Sequence, residues 1–439
     1  MERSTDLVRR TLITILEGAR TAVTSTSVSR QRRRADDSYG WRVRTDPAGV
    51  DRHRPLSGPV IWFMSLAAAL GTATIYPLQP AIADVANSLD ASLAAVGVAL
   101  ACGPMGYMVG LGLLVPLLDR FPPGRVLSAQ VGVLAVALFV SAVVGSVWAL
   151  GPVIGVIGAC SAVGAGLSSV VGRLASPHRR ATTLGIVTAG ISAGILAGRI
   201  VGGWLAEAIG WRGMLMVFAA ACAAVAVGLP LVIPGTRGGP ERGYLATLRS
   251  IPGLFVRFTA LRSAATRGAL WFFAFCAMWA GLAVALSQPP YSYSAERIGM
   301  YALAGLLGIL ATRVSGMCTD RLGARRVILV GLVIAGAAAA TVGFALPSTA
   351  AALACLALFD AGLFAAQVAN QSIILAIDPA APARFNSAYM LVYFVGGSLG
   401  TAFGTAAVER FGWPATTTIT AAAIAVAAAL TLRADDRSV

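Results

Sequence analysis

Residues 316–326 read GMCTDRLGARR, a short polar segment that separates two long apolar runs. Outward from this segment in both directions, apolar runs of roughly 20 residues, the length that spans hydrocarbon as a helix, alternate with short polar breaks. Twelve such runs begin near Pro59, Ser92, Arg125, Val147, Ala181, Gly213, Gly268, Arg297, Arg326, Ser348, Arg384 and Pro414. Because no water inside a bilayer can satisfy an open backbone, the pattern predicts an all-α membrane protein with twelve transmembrane helices.

The composition argues against a soluble protein. Charged residues are 12% and hydrophobic residues 57% of the chain, whereas a soluble domain carries about a quarter charged residues. All 34 basic residues are arginine, and a Walker A phosphate loop needs a lysine, so ATP hydrolysis by this chain is not expected. The six cysteines form no CxxC motif or histidine cluster, so no disulfide framework, metal or cofactor is expected. The net charge of +15 comes from arginines between apolar runs, so no nucleic-acid partner is expected.

The distribution of arginine predicts the orientation in the membrane. Residues 1–57 form a basic tail without a signal-peptide pattern and are predicted to be cytoplasmic. With that tail inside, the inner loops hold Arg120, Arg125, Arg173, Arg179, Arg180, Arg321, Arg325, Arg326 and Arg384, and the outer loops hold Arg212, Arg297 and Arg410. By the positive-inside rule both termini, including residues 434–439, are cytoplasmic. We expect a monomer that crosses the lipid bilayer of the inner cell membrane many times.

A repeat at an offset of 202 residues predicts two equivalent halves. The offset aligns Gly198, Gly202, Glu207, Gly210 and Trp211 with Gly400, Gly404, Glu409, Gly412 and Trp413. The longest internal connection, residues 234–267, divides the runs six and six. We therefore predict parallel six-helix halves at residues 58–233 and 268–433, joined by a cytoplasmic loop at 234–267.

These features resemble the major facilitator superfamily over residues 59–434. Its loop signature GxxxDRxGxR(R) matches residues 316–326, and a degraded copy, VPLLDRFPPGR, stands at residues 115–125. The resemblance implies that both loops act as gates, because a carboxylate can bind arginines and a helix N-terminus in one state and release them in another. The implied gating residues are Asp119, Arg120, Arg125, Gly316, Asp320, Arg321, Arg325 and Arg326. The alternative is that these arginines only set the topology.

Glycines in the fifth apolar run extend the resemblance. Gly185, Gly194, Gly198, Gly202 and Gly203 reproduce the spacing Gx8Gx3GPx2GG of the superfamily's drug and proton antiporters. The resemblance implies close helix packing through these small residues. Arg199 stands where that pattern has proline. The stretch from Asp360 to Trp413 also looks like a bacterial branch of sugar or drug efflux permeases.

Asp360 is the carboxylate predicted near the middle of a span, where an ionised side chain costs several kcal/mol unless it is paired or hydrated. On a helix, Gln367 and Gln371 share its face, so the tenth run presents a polar stripe that suggests a wet cavity. Arg199 is predicted at a similar depth. We hypothesise that Asp360 and Arg199 pair in one conformation, and that protonation of Asp360 releases Arg199 or the cavity for cargo. A static ion pair between the halves is the alternative.

The predicted cargo cavity contains Gln367, Asn370, Gln371, Asn386 and Tyr393. Aromatic residues of the seventh and eleventh runs either stack on a flat cargo or face lipid and packed neighbours; they are Trp271, Phe272, Phe273, Phe275, Trp279, Tyr389, Tyr393 and Phe394.

The predicted function is export of a small organic molecule in exchange for protons. The alternatives are uptake of a sugar-like nutrient by symport or facilitated diffusion, and a membrane sensor that transports nothing. An enzyme is not expected, because no run pairs histidines, carboxylates or a serine and a base at catalytic spacing.

Overall fold

The computed structural model describes residues 57–175, 178–233, 244–378 and 382–433, and every regular element in that part of the chain is a helix. In chain order they are α1 Gly58–Ala73, α2 Ile82–Ser88, α3 Leu93–Leu113, α4 Leu117–Arg120, α5 Pro123–Val143, α6 Val147–Ser161, α7 Val163–Leu174, α8 Arg180–Val232, α9 Tyr244–Arg257, α10 Thr259–Ser287, α11 Ala295–Met300, α12 Gly305–Leu322, α13 Ala324–Ala345, α14 Thr349–Ala376, α15 Pro382–Phe411 and α16 Trp413–Arg433. A 3-10 turn, Tyr301–Ala304, joins α11 to α12. The predictions for the tails at 1–56 and 434–439 lie outside the described residues.

Long apolar helices make up most of the described chain. Ten spans among the described residues are long and apolar enough to cross a membrane, by length and composition, when α6 with α7 and α11 with α12 are each counted as one. Serine caps fix where several begin: Ser92 Oγ accepts a hydrogen bond from Ala95 N at 3.1 Å at the start of α3, and Ser348 Oγ accepts one from Ala351 N at 3.4 Å at the start of α14. These caps satisfy amides that a helix start leaves free.

One long helix, α8, is broken at Gly210. Gly210 has φ 75° and ψ 157°, a conformation that only glycine adopts readily. The break lies three residues before Gly213, where the sequence predicts the sixth run to begin. Gly412, which follows Gly210 by the repeat offset, has φ 80° and separates α15 from α16. The same residue type therefore ends the equivalent helix in both halves.

The predicted connection at 234–267 is only partly a loop. It contains α9 and the first nine residues of α10. Residues 234–243 lie outside the described residues. The seventh span therefore begins before the predicted Gly268, because Arg262 and Arg267 interrupt the apolar pattern without interrupting the helix.

Glycines make the same close helix contact in two places. A Cβ added at Gly198 on α8 would overlap the backbone of Ala73 on α1, and one added at Gly400 on α15 would overlap the backbone of Phe273 on α10. Small residues of this kind let helix backbones approach closely in a membrane, where apolar burial gives no net attraction between helices. The packing thus repeats with the register of the sequence.

Most contacts between residues 58–232, called the first half below, and residues 259–433, called the second half, come from two helix pairs. The pairs are α3 with α15 and α8 with α11. A Cβ added at Gly97 would overlap Thr405, and one added at Gly203 would overlap the backbone of Ala295. These contacts lie toward the end of the bundle where α3 begins, called the Asp84 end. The opposite end, where α12 finishes, is called the Asp320 end.

Candidate transport site

Asp360 lies on α14 where that helix packs against α10 and α12. The side chain is 2% exposed, and its Oδ1 accepts a hydrogen bond from the Trp279 indole N–H at 3.1 Å. Gly305 and Gly308 on α12 leave room for it, since a Cβ added at either glycine would lie 3.2 Å from an Asp360 side-chain atom. A buried carboxylate with a neutral donor is costly to keep ionised. Its charge state is therefore sensitive to its neighbours.

Arg199 lies on α8 and is 4% exposed. Its Nε donates a hydrogen bond to Gln79 Oε1 at 3.0 Å. The guanidinium carbon lies 4.5 Å from the ring centroid of Tyr76 and 4.7 Å from that of Trp279. Cation–π contacts of this kind contribute about 2 kcal/mol when they are desolvated. Aromatic faces and one amide oxygen thus hold the buried cation.

Trp279 contacts both charged groups. Its N–H binds Asp360, and the face of its indole ring lies against Arg199. The structure brings these two residues to one place but shows no direct ion pair between them. The predicted pair is thus replaced in this conformation by an indole that contacts both side chains. Arg199 belongs to the first half, whereas Trp279 and Asp360 belong to the second.

Two small cavities share Arg199 as a wall. The first, of about 10 Å³, is also lined by Trp279 and Asp360. The second, of about 20 Å³, is also lined by Tyr76 and Gln79. Each has room for about one water molecule. Neither of them admits a cargo-sized molecule in this conformation.

Amide side chains continue the polar stripe of α14 toward the Asp320 end. Gln367 Oε1 accepts hydrogen bonds from the Trp271 indole at 3.2 Å and from the Tyr389 hydroxyl at 2.5 Å. Gln371 Nε2 donates to Asn386 Oδ1 at 3.0 Å. The stripe is predicted to line a wet cavity, but in this conformation it is hydrogen-bonded to α10 and α15. The reason is that these helices present complementary donors and acceptors at the same depth.

Asn370 is fully buried and binds α10 with both ends of its amide. Its Oδ1 accepts a hydrogen bond from Arg267 Nη2 at 3.0 Å, and its Nδ2 donates to the Ala264 carbonyl at 3.0 Å. Arg267 is 4% exposed. Its Nε is buried without a hydrogen-bond partner in the described part of the chain. The sequence places Arg267 in the central connection and does not identify it as a site residue.

Aromatic rings fill the space around these polar groups. The Tyr393 ring stacks on Phe272 with centroids 4.0 Å apart and planes 10° apart. Phe394 contacts Tyr107 of the first half, with ring centroids 4.8 Å apart. Among the predicted cargo-stacking residues, Trp271 and Trp279 donate hydrogen bonds to polar side chains. They therefore position polar groups in this state.

Sequence comparison assigns the chain to a family. The family model described as Major Facilitator Superfamily matches residues 61–401 and 289–439. The chain belongs to this superfamily. The uncharacterized transporter YgaY of Escherichia coli O157:H7 is 30% identical over 358 residues, which cover 82% of this chain and 91% of that protein.

Solved structures of the superfamily share the fold. A bacterial homolog of the human lysosomal transporter Spinster, in an inward-facing and unoccupied conformation, gives a TM-score of 0.72 at 17% identity and covers 87% of this chain and 97% of its own. The nucleoside transporter NupG, solved as a mutant, gives a TM-score of 0.69 at 14% identity. The match covers 85% of this chain and 99% of the NupG chain. The family match and the relative at 30% identity confirm the prediction of a membrane transporter rather than an enzyme, and the solved structures show the shared fold.

The superfamily's loop signature lies at the Asp320 end. It covers the last seven residues of α12, then Gly323, which has φ 84°, and the first three residues of α13. Arg325 Nη2 donates a hydrogen bond to the Leu432 carbonyl on α16 at 2.7 Å. Of the predicted gating residues, Arg120, Arg125, Asp320, Arg321 and Arg326 are exposed and Gly316 is half-buried. The side chain of Asp119 lies outside the described part. Their gating role stays a prediction.

The glycines of the superfamily pattern on α8 differ in what they contact. Gly194, Gly198 and Gly202 face the first half, against the segment from Ala69 to Pro77. Gly203 faces the second half at Ala295. Gly185 has open space within 4 Å of an added Cβ, so the structure does not bring it to a neighbouring helix.

Sequence reasoning overlooked two residues around Arg199. Tyr76 and Gln79 lie in the turn between α1 and α2 and hold the guanidinium. The signal was present, because Gln79 is a polar residue between Pro77 and Pro80 in an apolar run. Among the described residues, no group of three or more metal-binding side chains lies together.

Proposed function

We propose that this protein is a proton-coupled secondary transporter that exports a small organic molecule through the inner cell membrane by alternating access. The contact of Trp279 with both Asp360 and Arg199 carries the proposal. It connects the buried carboxylate of the second half to a buried arginine of the first. Protonation of Asp360 therefore changes a contact between the halves, and proton coupling requires such a dependence.

We propose twelve membrane crossings and cytoplasmic termini. The ten long helices give twelve crossings once α8 is counted as two spans at Gly210 and the short apolar helix α1 is added. Arg120, Arg173 and Arg321 belong to a larger set of arginines at the Asp320 end, which the positive-inside rule places in the cytoplasm. The proposed unit is a monomer in the lipid bilayer with halves at 58–233 and 268–433, and its transported partners are the cargo and protons.

Contacts between the halves support a state closed at the Asp84 end. The backbone N–H of Ala94, in the first turn of α3, donates a hydrogen bond to Glu409 Oε2 at 2.8 Å. A carboxylate at a helix N-terminus is stabilised by the partial positive charge of the free amides there. Glu409 lies on α15, in the other half. We therefore propose that Glu409 acts as a latch that must open when the Asp84 end opens.

Glu409→Gln is expected to raise the population open at the Asp84 end. The loss of a charge at the α3 N-terminus costs about 1 kcal/mol, which is about a fivefold shift between the two states. Spin labels at Ala149 and Ala350, both exposed at this end in opposite halves, report the change as a longer distance. The native cysteines are first replaced so that only these sites are labelled.

Glu207→Gln is the matched control for the latch. Glu207 precedes Glu409 by the repeat offset, but in the described residues it makes no hydrogen bond to the start of α11. We expect its substitution to leave the distance distribution unchanged. Equal distance distributions for the wild type and Glu409→Gln would show that the Glu409 hydrogen bond does not stabilise the state closed at the Asp84 end.

The direction of transport is tested in inside-out membrane vesicles with an acidic lumen. The glycine spacing on α8 favours export. The test compound comes from a thermal-shift screen of the purified protein at two pH values, because a ligand stabilises the state that it binds. Accumulation in the acidic lumen supports proton antiport. Movement out of the lumen with protons identifies a symporter, and the absence of counterflow identifies a sensor.

A further inference from the structure

Arg267 is a buried cation without a counter-charge in the described part of the chain. Its guanidinium is bound by Asn370 through Nη2, and its Nε has no hydrogen-bond partner. Among the described residues, Asn370 and the Tyr389 hydroxyl are polar groups beside it. Arginine stays protonated in proteins. Its burial is therefore unfavourable until an anion arrives.

The buried charges of the described residues do not balance. They are Arg199, Arg267 and Asp360, two cations and one anion. Asp360 lies beside Trp279 and Arg199, whereas Arg267 is bound to Asn370, ten residues further along α14. One anionic group at Arg267 would balance the charges when Asp360 is ionised. The site also has a fixed position, since Asn370 binds both Arg267 and the Ala264 carbonyl of α10.

We propose that Arg267 and Asn370 form the binding site for an anionic group of the cargo, a carboxylate or a phosphate. This inference rests on the proposed transport function but not on its direction. Aromatic residues lie next to the site: Tyr389 packs against Gly268, and Trp271 binds the same Gln367 as Tyr389. The cargo that fits is an organic anion with a flat or apolar body.

A larger cavity borders the apolar cluster that contains Ala264 and Tyr389. It has a volume of about 480 Å³, within the range of small-molecule sites, and its lining includes Arg257, Arg384 and Phe385 together with the carboxylate residue Asp378. Phe385 is fully buried and packs in the same apolar cluster as Ala264 and Tyr389. The two arginines outnumber the one carboxylate, so the lining carries a net positive charge that attracts anions. A cargo anion reaches Arg267 from here when Phe385 and Tyr389 move.

The competing explanation is that Arg267 is a structural residue that only links α10 to α14. The melting temperature of the protein without ligand distinguishes a structural role from a ligand site. Arg267→Gln keeps a donor for Asn370 but removes the charge. For a ligand site we expect the variant to melt higher than the wild type, by about 2 °C or more, because an unbalanced buried charge is removed. A melting temperature below that of the wild type overturns the proposal. Arg313→Gln, at an exposed arginine on α12, is the control and should melt as the wild type does.

The second arm measures anion binding directly. The purified protein is melted with sodium benzoate, phenyl phosphate or inorganic phosphate, and with benzamide and sodium chloride at equal ionic strength as references. We expect benzoate or phenyl phosphate, but not benzamide, to raise the melting temperature of the wild type and of Arg313→Gln, and to have no effect on Arg267→Gln. Equal shifts in all three proteins, or no shift in any, overturn the proposal. A shift with inorganic phosphate as large as with the phenyl compounds shows a free-phosphate site and overturns the assignment to cargo.

Failure of this inference is distinguishable from failure of the proposed function. The readout is binding by purified protein and needs no proton gradient. Asp360→Asn is expected to keep the anion-dependent stabilisation, because Asp360 does not contact Arg267. If pH-driven transport is absent but the anion shift disappears in Arg267→Gln, the anion site stands and proton coupling fails. If pH-driven transport is present but the anion shift is the same in Arg267→Gln as in the wild type, proton coupling stands and the anion site fails.

Discussion

Asp360→Asn is expected to abolish transport driven by a pH gradient. Asparagine can still accept the hydrogen bond from Trp279, so the packing is kept and only the titratable group is lost. With one proton exchanged per cargo molecule, a gradient of one pH unit stores about 1.4 kcal/mol, enough for about tenfold accumulation. The variant should equilibrate the compound without accumulating it. The measurement is the steady-state ratio of the compound across inside-out vesicles with and without the gradient.

Glu296→Gln is the control for loss of a carboxylate. Glu296 is exposed in the first turn of α11 and contacts neither Asp360 nor Arg199. Accumulation by this variant should match the wild type. If Asp360→Asn retains both its accumulation and its dependence on pH, the proton is carried elsewhere and the proposed role of the Trp279 contact is wrong.

Gly203→Val is expected to prevent closure at the Asp84 end. A Cβ at Gly203 would overlap the carbonyl oxygen of Ala295 in the other half, and backbone cannot move aside as a flexible side chain can. Overpacking costs about 1–3 kcal/mol, which shifts the equilibrium about 5- to 150-fold toward the open state. Spin labels at Ala149 and Ala350 should report predominantly long distances, and transport should stop because one state is no longer accessible.

Gly132→Val separates this effect from the general cost of valine in a helix. Gly132 lies on α5 with open space around an added Cβ, so the substitution should leave both distance and transport unchanged. Short distances in Gly203→Val, equal to those of the wild type, would show that this glycine contact does not control closure. Loss of folded protein in Gly203→Val but not in Gly132→Val would identify Gly203 as a structural residue instead.

Local features of the sequence predict much of the helical architecture. Apolar runs and polar breaks predict the helices, because a chain in hydrocarbon must satisfy its backbone internally. The repeat offset predicts that Gly210 and Gly412 are equivalent, and both have positive φ. The start of α10 was harder to predict, because Arg262 and Arg267 resemble loop residues while the helix continues through them. Charge alone does not show whether an arginine ends a span or is buried in it.

The candidate site could be predicted only in part. Asp360 and Arg199 stand out because a charge in an apolar run is rare and expensive. Counting residues along their two helices places both side chains at a similar depth in the membrane. The structure shows that both line the same small cavity. Trp279, Tyr76 and Gln79 complete the site from other helices and turns. Their position depends on how α1, α8 and α10 pack, which no spacing within a single run contains.

By itself, the sequence determined that this protein spans a membrane as helices, that its halves repeat, and that buried charges lie inside it, because length, hydropathy and charge act locally along the chain. Tertiary structure decided that an indole connects Asp360 to Arg199, that Glu409 binds the start of α3, and that Arg267 is buried without a counter-ion among the described residues. Each of these facts concerns side chains from helices far apart in sequence. Their contacts depend on which helix faces meet, and that is set by the close packing of backbones at glycines such as Gly198 and Gly203.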